Sequence, residues 1–124
     1  MFNRKKKQPF NNDKQVNKSH LQNLIALAWA DGHLAEIEEH LLIAITHRLG
    51  LAEDDLEEIK SNVGSIEFVL PASYDDRIEQ FNDLLTLISV DGHIDENELD
   101  FCHDMALKYE LTEQVFQELI QLYS

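Results

Sequence analysis

The sequence predicts an all-α protein, a single domain of two pseudo-symmetric three-helix units that follows a flexible basic arm. Apolar residues recur with the period of a helix along most of the chain, and no segment shows the sustained period-two alternation of a strand. The third observation is an internal repeat. Residues 21–64 align with residues 81–124 without a gap, with ten identities in 44 positions. We therefore expect repeat units at about 17–64 and 73–124.

The N-terminal segment differs in composition from the rest of the chain. Residues 1–16 are polar and basic, and include Pro9 and the cluster Arg4, Lys5, Lys6 and Lys7. We expect a flexible arm. Its cations also allow weak peripheral contact with an anionic membrane, to which the aromatic rings of Phe2 and Phe10 add a weak apolar anchor.

The first helix of each unit carries an amphipathic pattern that ends before an Asp-Gly pair. In unit one the apolar positions i, i+3, i+4, i+7 and i+8 are Leu21, Leu24, Ile25, Ala28 and Trp29. Unit two repeats the pattern with Phe81, Leu84, Leu85 and Ile88. Glycine adopts the left-handed conformation at little steric cost, so we expect Gly32 and Gly92 to end these helices.

Two shorter helices complete each unit, with breaks at Gly50-Leu51 and Glu110-Leu111. The second helix of unit one is expected to bury Ile37, Leu41, Ile45 and Leu49. Arg48 and Lys108 occupy matching places in the last turn of the second helix, where a cation complements the helix dipole.

The segment between the units contains Pro71 and connects the two repeats. Its run from Ile66 to Leu70 fits either a short helical turn or an extended crossover. Ser73 is then expected to cap the first helix of unit two, and Thr112 the third helix of that unit.

Charge is divided unevenly between the arm and the body. The chain carries −14 at pH 7, of which residues 1–18 contribute +5 and residues 19–124 contribute −19. An acidic body repels phosphate backbones, so nucleic-acid binding by the folded part is not expected. The same charge attracts divalent cations or a protein partner with a basic surface.

Cysteine usage and hydropathy indicate the compartment. Cys102 is the only cysteine, which suits a reducing environment. The longest apolar run, Leu24 to Ala30, is far shorter than a membrane span, and no apolar segment follows the basic N-terminus as in a secretory signal. We expect a cytoplasmic protein without a transmembrane segment.

The triplet Asp-Gly-His occurs once in each unit, at residues 31–33 and 91–93, and a glutamate follows each aspartate by seven residues. Carboxylate oxygens are the ligands that hard cations prefer, so these turns are the candidate site for calcium, magnesium or another divalent cation. The candidate ligands are Asp31, Glu38, Asp91 and Glu98.

These turns are not calcium EF-hands. Calcium takes six to eight oxygen ligands, and an EF-hand supplies some of them from the first and third loop positions. Those positions would be Leu27 and Trp29 in unit one and Leu87 and Ser89 in unit two, all within the preceding helix. The leucines and the tryptophan have no side-chain oxygen.

Helix capping accounts for the same acids without a metal. Asp95 and Glu98 have the spacing of an N-cap and its N3 partner, which bond each other's unpaired amides. Unit one has Ala35 in place of the N-cap aspartate but keeps Glu38. Both interpretations, a cation site and a capped corner, remain open at this point.

The histidines and the remaining residue patterns do not indicate catalysis. His33, His40 and His47 recur every seven residues, and Glu36 precedes His40 by four. Such spacing can hold a transition metal, but it is equally typical of a solvated helix face, which is the interpretation we favour. The sequence contains no Gly-rich phosphate loop, nucleophile elbow or cysteine cluster, so we predict that the protein is not an enzyme.

The motifs Ala30-Asp31-Gly32 and Val90-Asp91-Gly92, with Glu38, Glu98 and the preceding Leu70-Pro71, resemble the TerB family of bacterial tellurite-resistance and stress-response domains. The similarity covers about residues 17–124. It implies a small, duplicated, all-helical fold in which Asp31, Glu38, Asp91 and Glu98 would bind metal.

Two functional hypotheses follow. The first is a non-enzymatic TerB-like stress-response domain that binds a divalent cation weakly through its acidic turns. The alternative is an interaction adaptor that docks a basic protein partner on its acidic surface without needing metal.

Overall fold

The computed structural model describes residues 10–30, 34–90 and 92–123, with side chains from Lys14 onward. Within these ranges the regular structure is helical throughout, which confirms the predicted all-α class. The helices are α1 (Phe10–Ala28), α2 (Glu36–Arg48), α3 (Glu53–Ser61), α4 (Tyr74–Ser89), α5 (Glu96–Lys108) and α6 (Glu113–Gln121). None of these helices is long and apolar enough to cross a membrane.

Helix α1 begins earlier than the sequence suggested. It starts at Phe10, so residues 10–16, assigned above to the arm, form its first turns. No proline or glycine occurs between Pro9 and Gly32, and nothing in the backbone chemistry stops the helix from extending toward the N-terminus. Residues 1–9 lie outside the described residues, and the flexible arm and its membrane contact stay predictions.

The helix boundaries repeat along the chain. Helices α2 and α5 begin and end at positions 60 residues apart, and so do α3 and α6. The two predicted N-caps are confirmed, because the hydroxyl of Ser73 accepts from the Asp76 amide at 3.0 Å and that of Thr112 accepts from the Val115 amide at 3.2 Å.

Helices α1 and α4 supply the centre of the core. Helix α1 packs against α2, α3, α4 and α5, and α4 packs against α1 and α5. Apart from Trp29, the predicted apolar residues of these two helices are fully buried, with Leu21, Leu24, Ile25, Ala28, Phe81, Leu84, Leu85 and Ile88 at most 1% exposed. Burial of a leucine, isoleucine or phenylalanine side chain contributes about 1.5–3 kcal/mol, so these side chains stabilise the packing of α1 and α4 in the core.

Two residues expected in the core are exposed instead. Trp29 follows the end of α1 and is 37% exposed, and Ile37 in the first turn of α2 is 46% exposed. The neighbouring Glu38 is buried. Adjacent residues of a helix point about 100° apart, so the turn that directs Glu38 inward directs Ile37 outward.

The segment between α3 and α4 is an extended crossover, which decides between the two forms that the sequence allowed. The buried side chain of Gln22 holds it: its amide donates to the Ile66 carbonyl at 2.6 Å, and its carbonyl accepts from the amides of Gly64 and Ile66 at 2.9 and 3.0 Å. The hydroxyl of Ser19 accepts from the Val69 amide at 2.9 Å. Polar side chains of α1 thus form hydrogen bonds with backbone groups of the crossover, which is not part of a helix and lacks the hydrogen bonds that a helix forms internally.

Candidate functional site

The structure describes half of the predicted metal site. Glu38 and Glu98 are each 4% exposed and lie in the first turns of α2 and α5. Asp31 and Asp91 lie outside the described residues, as does His33. The proposed binding of a divalent cation by Asp31, Glu38, Asp91 and Glu98 therefore stays a prediction.

Both glutamates cap the helix in which they lie, and this part of the capping interpretation is confirmed. Glu38 Oε1 accepts from the Ala35 amide at 3.0 Å, and Glu98 Oε1 accepts from the Asp95 amide at 3.1 Å. Asp95 Oδ1 in turn accepts from the Asn97 amide at 2.7 Å. One oxygen of each glutamate is thus already bonded to backbone, in the same way in both units.

Within residues 10–30, 34–90 and 92–123, no three or more histidine, cysteine, aspartate or glutamate side chains are grouped to hold a metal ion. The described histidines of the predicted polar face behave as surface groups. His40 is exposed, and His47 Nε2 lies 3.4 Å from Glu53 Oε2 in an exposed pair. His103 lies 2.7 Å from Glu113 in a second exposed pair.

The most buried charged cluster joins three helices and was not predicted. Asp83 on α4 accepts hydrogen bonds through Oδ2 from His20 Nε2 on α1, at 2.7 Å, and from the Arg48 guanidinium at the end of α2. The side chains of His20 and Asp83 are 1% and 12% exposed, and that of Arg48 is 49% exposed. The cluster thus connects the interior of the α1–α4 interface to the surface.

The electrostatics of this cluster keep Asp83 ionised. Burial alone raises the pKa of Asp83, but the hydrogen bonds from His20 and Arg48, together with their charges, outweigh burial and leave the pKa below its usual 3.8. The same hydrogen bond from Arg48 raises the pKa of that guanidinium. Because an ionised carboxylate can only accept, His20 Nε2 is the donor in the pair.

The second nitrogen of His20 has no hydrogen-bond partner among the described residues. His20 Nδ1 is buried and unpaired there. A buried polar atom without a partner is uncommon in folded proteins, so the cluster is incomplete on that side.

A cleft of about 770 Å³ lies against this cluster, and we call it the α1–α4 cleft. It is bounded by residues 15–17 and His20 of α1, by Arg48 and Leu49 at the end of α2, by residues 69–72 of the crossover, and by the first half of α4. Asn17 connects two of these walls, since its side-chain amide donates to the Leu49 carbonyl at 3.1 Å.

A second buried polar contact extends the cluster into the core. The hydroxyl of Tyr109, which is fully buried, donates to Gln80 Oε1 at 2.9 Å, and Gln80 also lines the α1–α4 cleft. Burial raises the pKa of Tyr109, so its hydroxyl keeps the proton that it donates. Gln80 lies 60 positions after His20, which makes these two polar sites of α1 and α4 equivalent in the repeat.

Cys102 offers no reactive thiol. It is fully buried, and burial, with a further contribution from the charge of Glu98, raises its pKa to about 12. A thiol with such a pKa stays protonated at neutral pH, and the thiolate is the form that acts as a nucleophile.

Sequence reasoning missed the buried cluster because each member is unremarkable in isolation. Arg48 was recognised as a cation that complements the dipole of α2, but its actual partner is 35 positions away. His20 and Asp83 each precede an apolar residue, Leu21 and Leu84, and a periodicity analysis assigns such polar residues to the edge of the apolar face. Their position beside these leucines was the signal that could have revealed them.

Comparison of the chain with family models, with curated proteins and with solved structures finds no match. The resemblance to the TerB family stays a prediction that rests on the motifs quoted above.

Proposed function

We propose that this protein is a non-enzymatic TerB-like interaction domain that serves in a stress response and docks a basic protein partner on its acidic surface. The observation that carries the proposal is an imbalance of paired charges. Most cations of the described body contact local partners, whereas many surface carboxylates form no ion pair with a described cation.

Four cations of the described residues are held in ion pairs: Lys18 with Asp55, Arg48 with Asp83, Lys60 with Glu39 and Arg77 with Glu110. A fifth, Lys108, places its Nζ atom 5.6 Å from the centroid of the Phe68 ring. Lys14, the remaining cation of the described residues, is exposed and is outnumbered by the remaining acids.

The uncompensated acids are spread over α2, α3, α5 and α6. The following are exposed and form no ion pair with a cation of the described part of the chain: Glu36, Asp54, Glu58, Glu96, Asp100, Asp104 and Glu118. A field of one sign over a surface accelerates association with partners of the opposite sign and disfavours partners of the same sign.

The architecture behind this surface is proposed to be two related three-helix units, α1–α3 and α4–α6. Three findings support it: the 60-residue offset of the helix boundaries, the matching caps of Glu38 and Glu98, and the matching polar positions His20 and Gln80. Such a duplication gives one domain two sets of similar acidic helices.

A pull-down with the immobilised full chain tests the docking proposal. Capture of a basic protein is expected to be unaffected by a chelator and to fall steeply between about 50 and 500 mM salt, because exposed charges are screened at high ionic strength. A matched variant in which Asp54, Glu58, Asp100 and Asp104 become amides should capture less of the same protein. Capture that needs a divalent cation, or that ignores both salt and the variant, would contradict the proposal.

Weak binding of a divalent cation by the acidic turns is the second proposal. One observation favours it: Glu38 and Glu98 accept equivalent capping hydrogen bonds in α2 and α5. These bonds hold each carboxylate in a fixed orientation before a cation binds. Calcium, magnesium, manganese and zinc are the candidates, with Asp31, Glu38, Asp91 and Glu98 as ligands.

Thermal unfolding with and without these cations tests the second proposal. A cation at about a hundred times its Kd adds about 2.7 kcal/mol to the free energy of unfolding and raises the Tm accordingly. The variant with all four ligands changed to amides should show no rise, while glutamine at 38 and 98 still accepts the capping hydrogen bond. No rise for the native chain at millimolar cation would refute metal binding, and an equal rise for the variant would refute the ligand assignment.

A further inference from the structure

The α1–α4 cleft has no role in the function proposed above beyond being part of an acidic surface. We propose that it is the docking site for a lysine or arginine side chain, presented by a basic segment of the protein partner. The inference rests on the proposed function and names the place and the chemistry of recognition.

The charge inside the cleft selects a cation. Three carboxylates line it, those of Asp76, Glu79 and Asp83, against the single guanidinium of Arg48. Arg48 is bound to Asp83, so this pair is compensated internally. Asp76 and Glu79 form no ion pair with a cation of the described residues, although the charge of Glu79 also acts on Arg48, so negative charge is in excess in the cleft.

The buried wall of the cleft also contains a polar atom without a partner. His20 is 1% exposed and lines the cleft, and its Nδ1 atom has no partner among the residues that the structure describes. The carboxylates of Asp76 and Glu79 accept hydrogen bonds, and an ammonium or guanidinium group only donates them.

The remaining walls fit the stem of a long basic side chain. Val16, Leu49, Val69, Leu70 and Pro71 contribute apolar surface between the polar groups. Lysine and arginine bury their methylene stems against apolar surface while the charged end stays among polar groups. The volume of about 770 Å³ is within the range of roughly 300–1,000 Å³ typical of binding pockets, so adjoining backbone of the partner also has room.

The walls of the cleft come from α1, the end of α2, the non-helical residues 69–72 and α4. The basic residues 4–7 of this chain have the same chemistry, and the experiment must distinguish them from a partner.

The proposal is tested by titrating the isotopically labelled full chain with hexalysine and following its backbone amide NMR signals. The largest shifts are expected at the cleft, for example at the amides of Val69, Ala72 and Gln80, and they should saturate. Hexalysine acetylated on every side chain keeps the stem without the charge, and hexaglutamate reverses the charge. Both should bind at least tenfold more weakly.

A pair of double variants with equal charge change locates the site. The cleft variant, Asp76→Asn with Glu79→Gln, should bind hexalysine at least tenfold more weakly than the native chain. The control variant, Glu57→Gln with Glu113→Gln, removes the same charge from two acids that lie outside the cleft and already have surface partners, and should change the affinity less than twofold. All four side chains are exposed, so both variants are expected to fold.

Three outcomes would overturn the inference. Equal weakening in the two double variants, with shifts spread over the acidic surface, would leave the acidic docking function intact and refute the cleft. Absence of any binding would refute both. In a third variant Arg4, Lys5, Lys6 and Lys7 are changed to glutamine. A more than fivefold gain in its affinity at physiological salt would assign the cleft to the chain's own arm instead of a partner.

Discussion

His20 Nε2 on α1 lies 2.7 Å from Asp83 Oδ2 on α4, and this hydrogen bond joins the two central helices through their buried polar side chains. The same carboxylate oxygen accepts from Arg48. A buried carboxylate is unfavourable unless it is paired and hydrogen-bonded, so Asp83 depends on both partners, and both helices depend on Asp83.

Replacement of Asp83 by asparagine is expected to lower the free energy of unfolding by about 1.5–3 kcal/mol, the range for hydrogen bonds to charged groups. Asparagine keeps the size of the side chain but removes the charge that holds Arg48 and His20. Urea unfolding of both proteins measures the difference. The exposed change Asp104→Asn on α5 is the control and should stay within about 0.5 kcal/mol. An equal effect of the two changes would show that the buried pair contributes no special stability.

The contribution of Asp83 should disappear in acid. Its pKa in the folded protein lies below 3.8 because the bonds from His20 and Arg48 outweigh the effect of burial. The folded state thus binds the proton more weakly than the unfolded chain does. The stabilisation is complete above the unfolded pKa and is lost as the pH falls through the folded pKa.

The measurement is the difference in free energy of unfolding between the native chain and Asp83→Asn. It should be constant near about pH 5 and shrink toward about pH 2 as the carboxyl group takes up its proton. A difference that persists unchanged into strong acid would mean that the charge of Asp83 is not what stabilises the fold.

Cys102 should report on opening of the core. It is fully buried on α5 with a pKa of about 12, so thiol reagents cannot reach a reactive thiolate in the folded protein. At about pH 8 we expect alkylation of the native chain to be at least roughly a hundredfold slower than alkylation of the same chain unfolded in guanidinium, because reaction requires opening. Comparable rates in the two conditions would contradict the packing of α5 against α4.

Glu110 occupies a left-handed backbone conformation with a φ of +62°, and Gly50 occupies the equivalent break with a φ of +77°. Glycine adopts this conformation at little steric cost, whereas a residue with a Cβ atom is strained there, so Glu110→Gly should raise the free energy of unfolding by about 0.5–1 kcal/mol. Conversely, Gly50→Ala should lower it by about 1 kcal/mol, although a Cβ atom there would meet no other atom within 4 Å.

Glu110→Gly also removes the exposed ion pair between Arg77 and Glu110, at 3.4 Å, so a control must separate the loss of charge from the relief of backbone strain. Glu110→Gln removes the charge but keeps the strained backbone, and should change stability by less than about 1 kcal/mol, as exposed pairs do. Stabilisation by glutamine as large as that by glycine would show that charge, not backbone conformation, is responsible.

The helices and their ends were largely predictable because local physics determines them. Ser73 and Thr112 cap their helices through bonds that span three residues, and the apolar faces of α1 and α4 follow from periodicity alone. Ile37 was misplaced because the local pattern cannot show that Glu38 turns inward to cap α2.

The two candidate sites also differ in how well the sequence predicted them. The capping by Glu98 and Asp95 was foreseen, since three residues separate them in the chain. The cluster of His20, Arg48 and Asp83 was not, because its members come from three helices and meet only when α2 and α4 pack on α1. The spacing of these three residues in the sequence does not indicate that they are in contact.

The sequence by itself determined the helical class, the 60-residue repeat, the capped corners and the acidic body, because each depends on composition or on contacts between near neighbours in the chain. The tertiary structure decided which polar residues are buried together, how the crossover from Gly64 to Pro71 is held by α1, and where a cleft remains. Those features depend on packing between segments tens of residues apart, and packing is a property of the assembled helices.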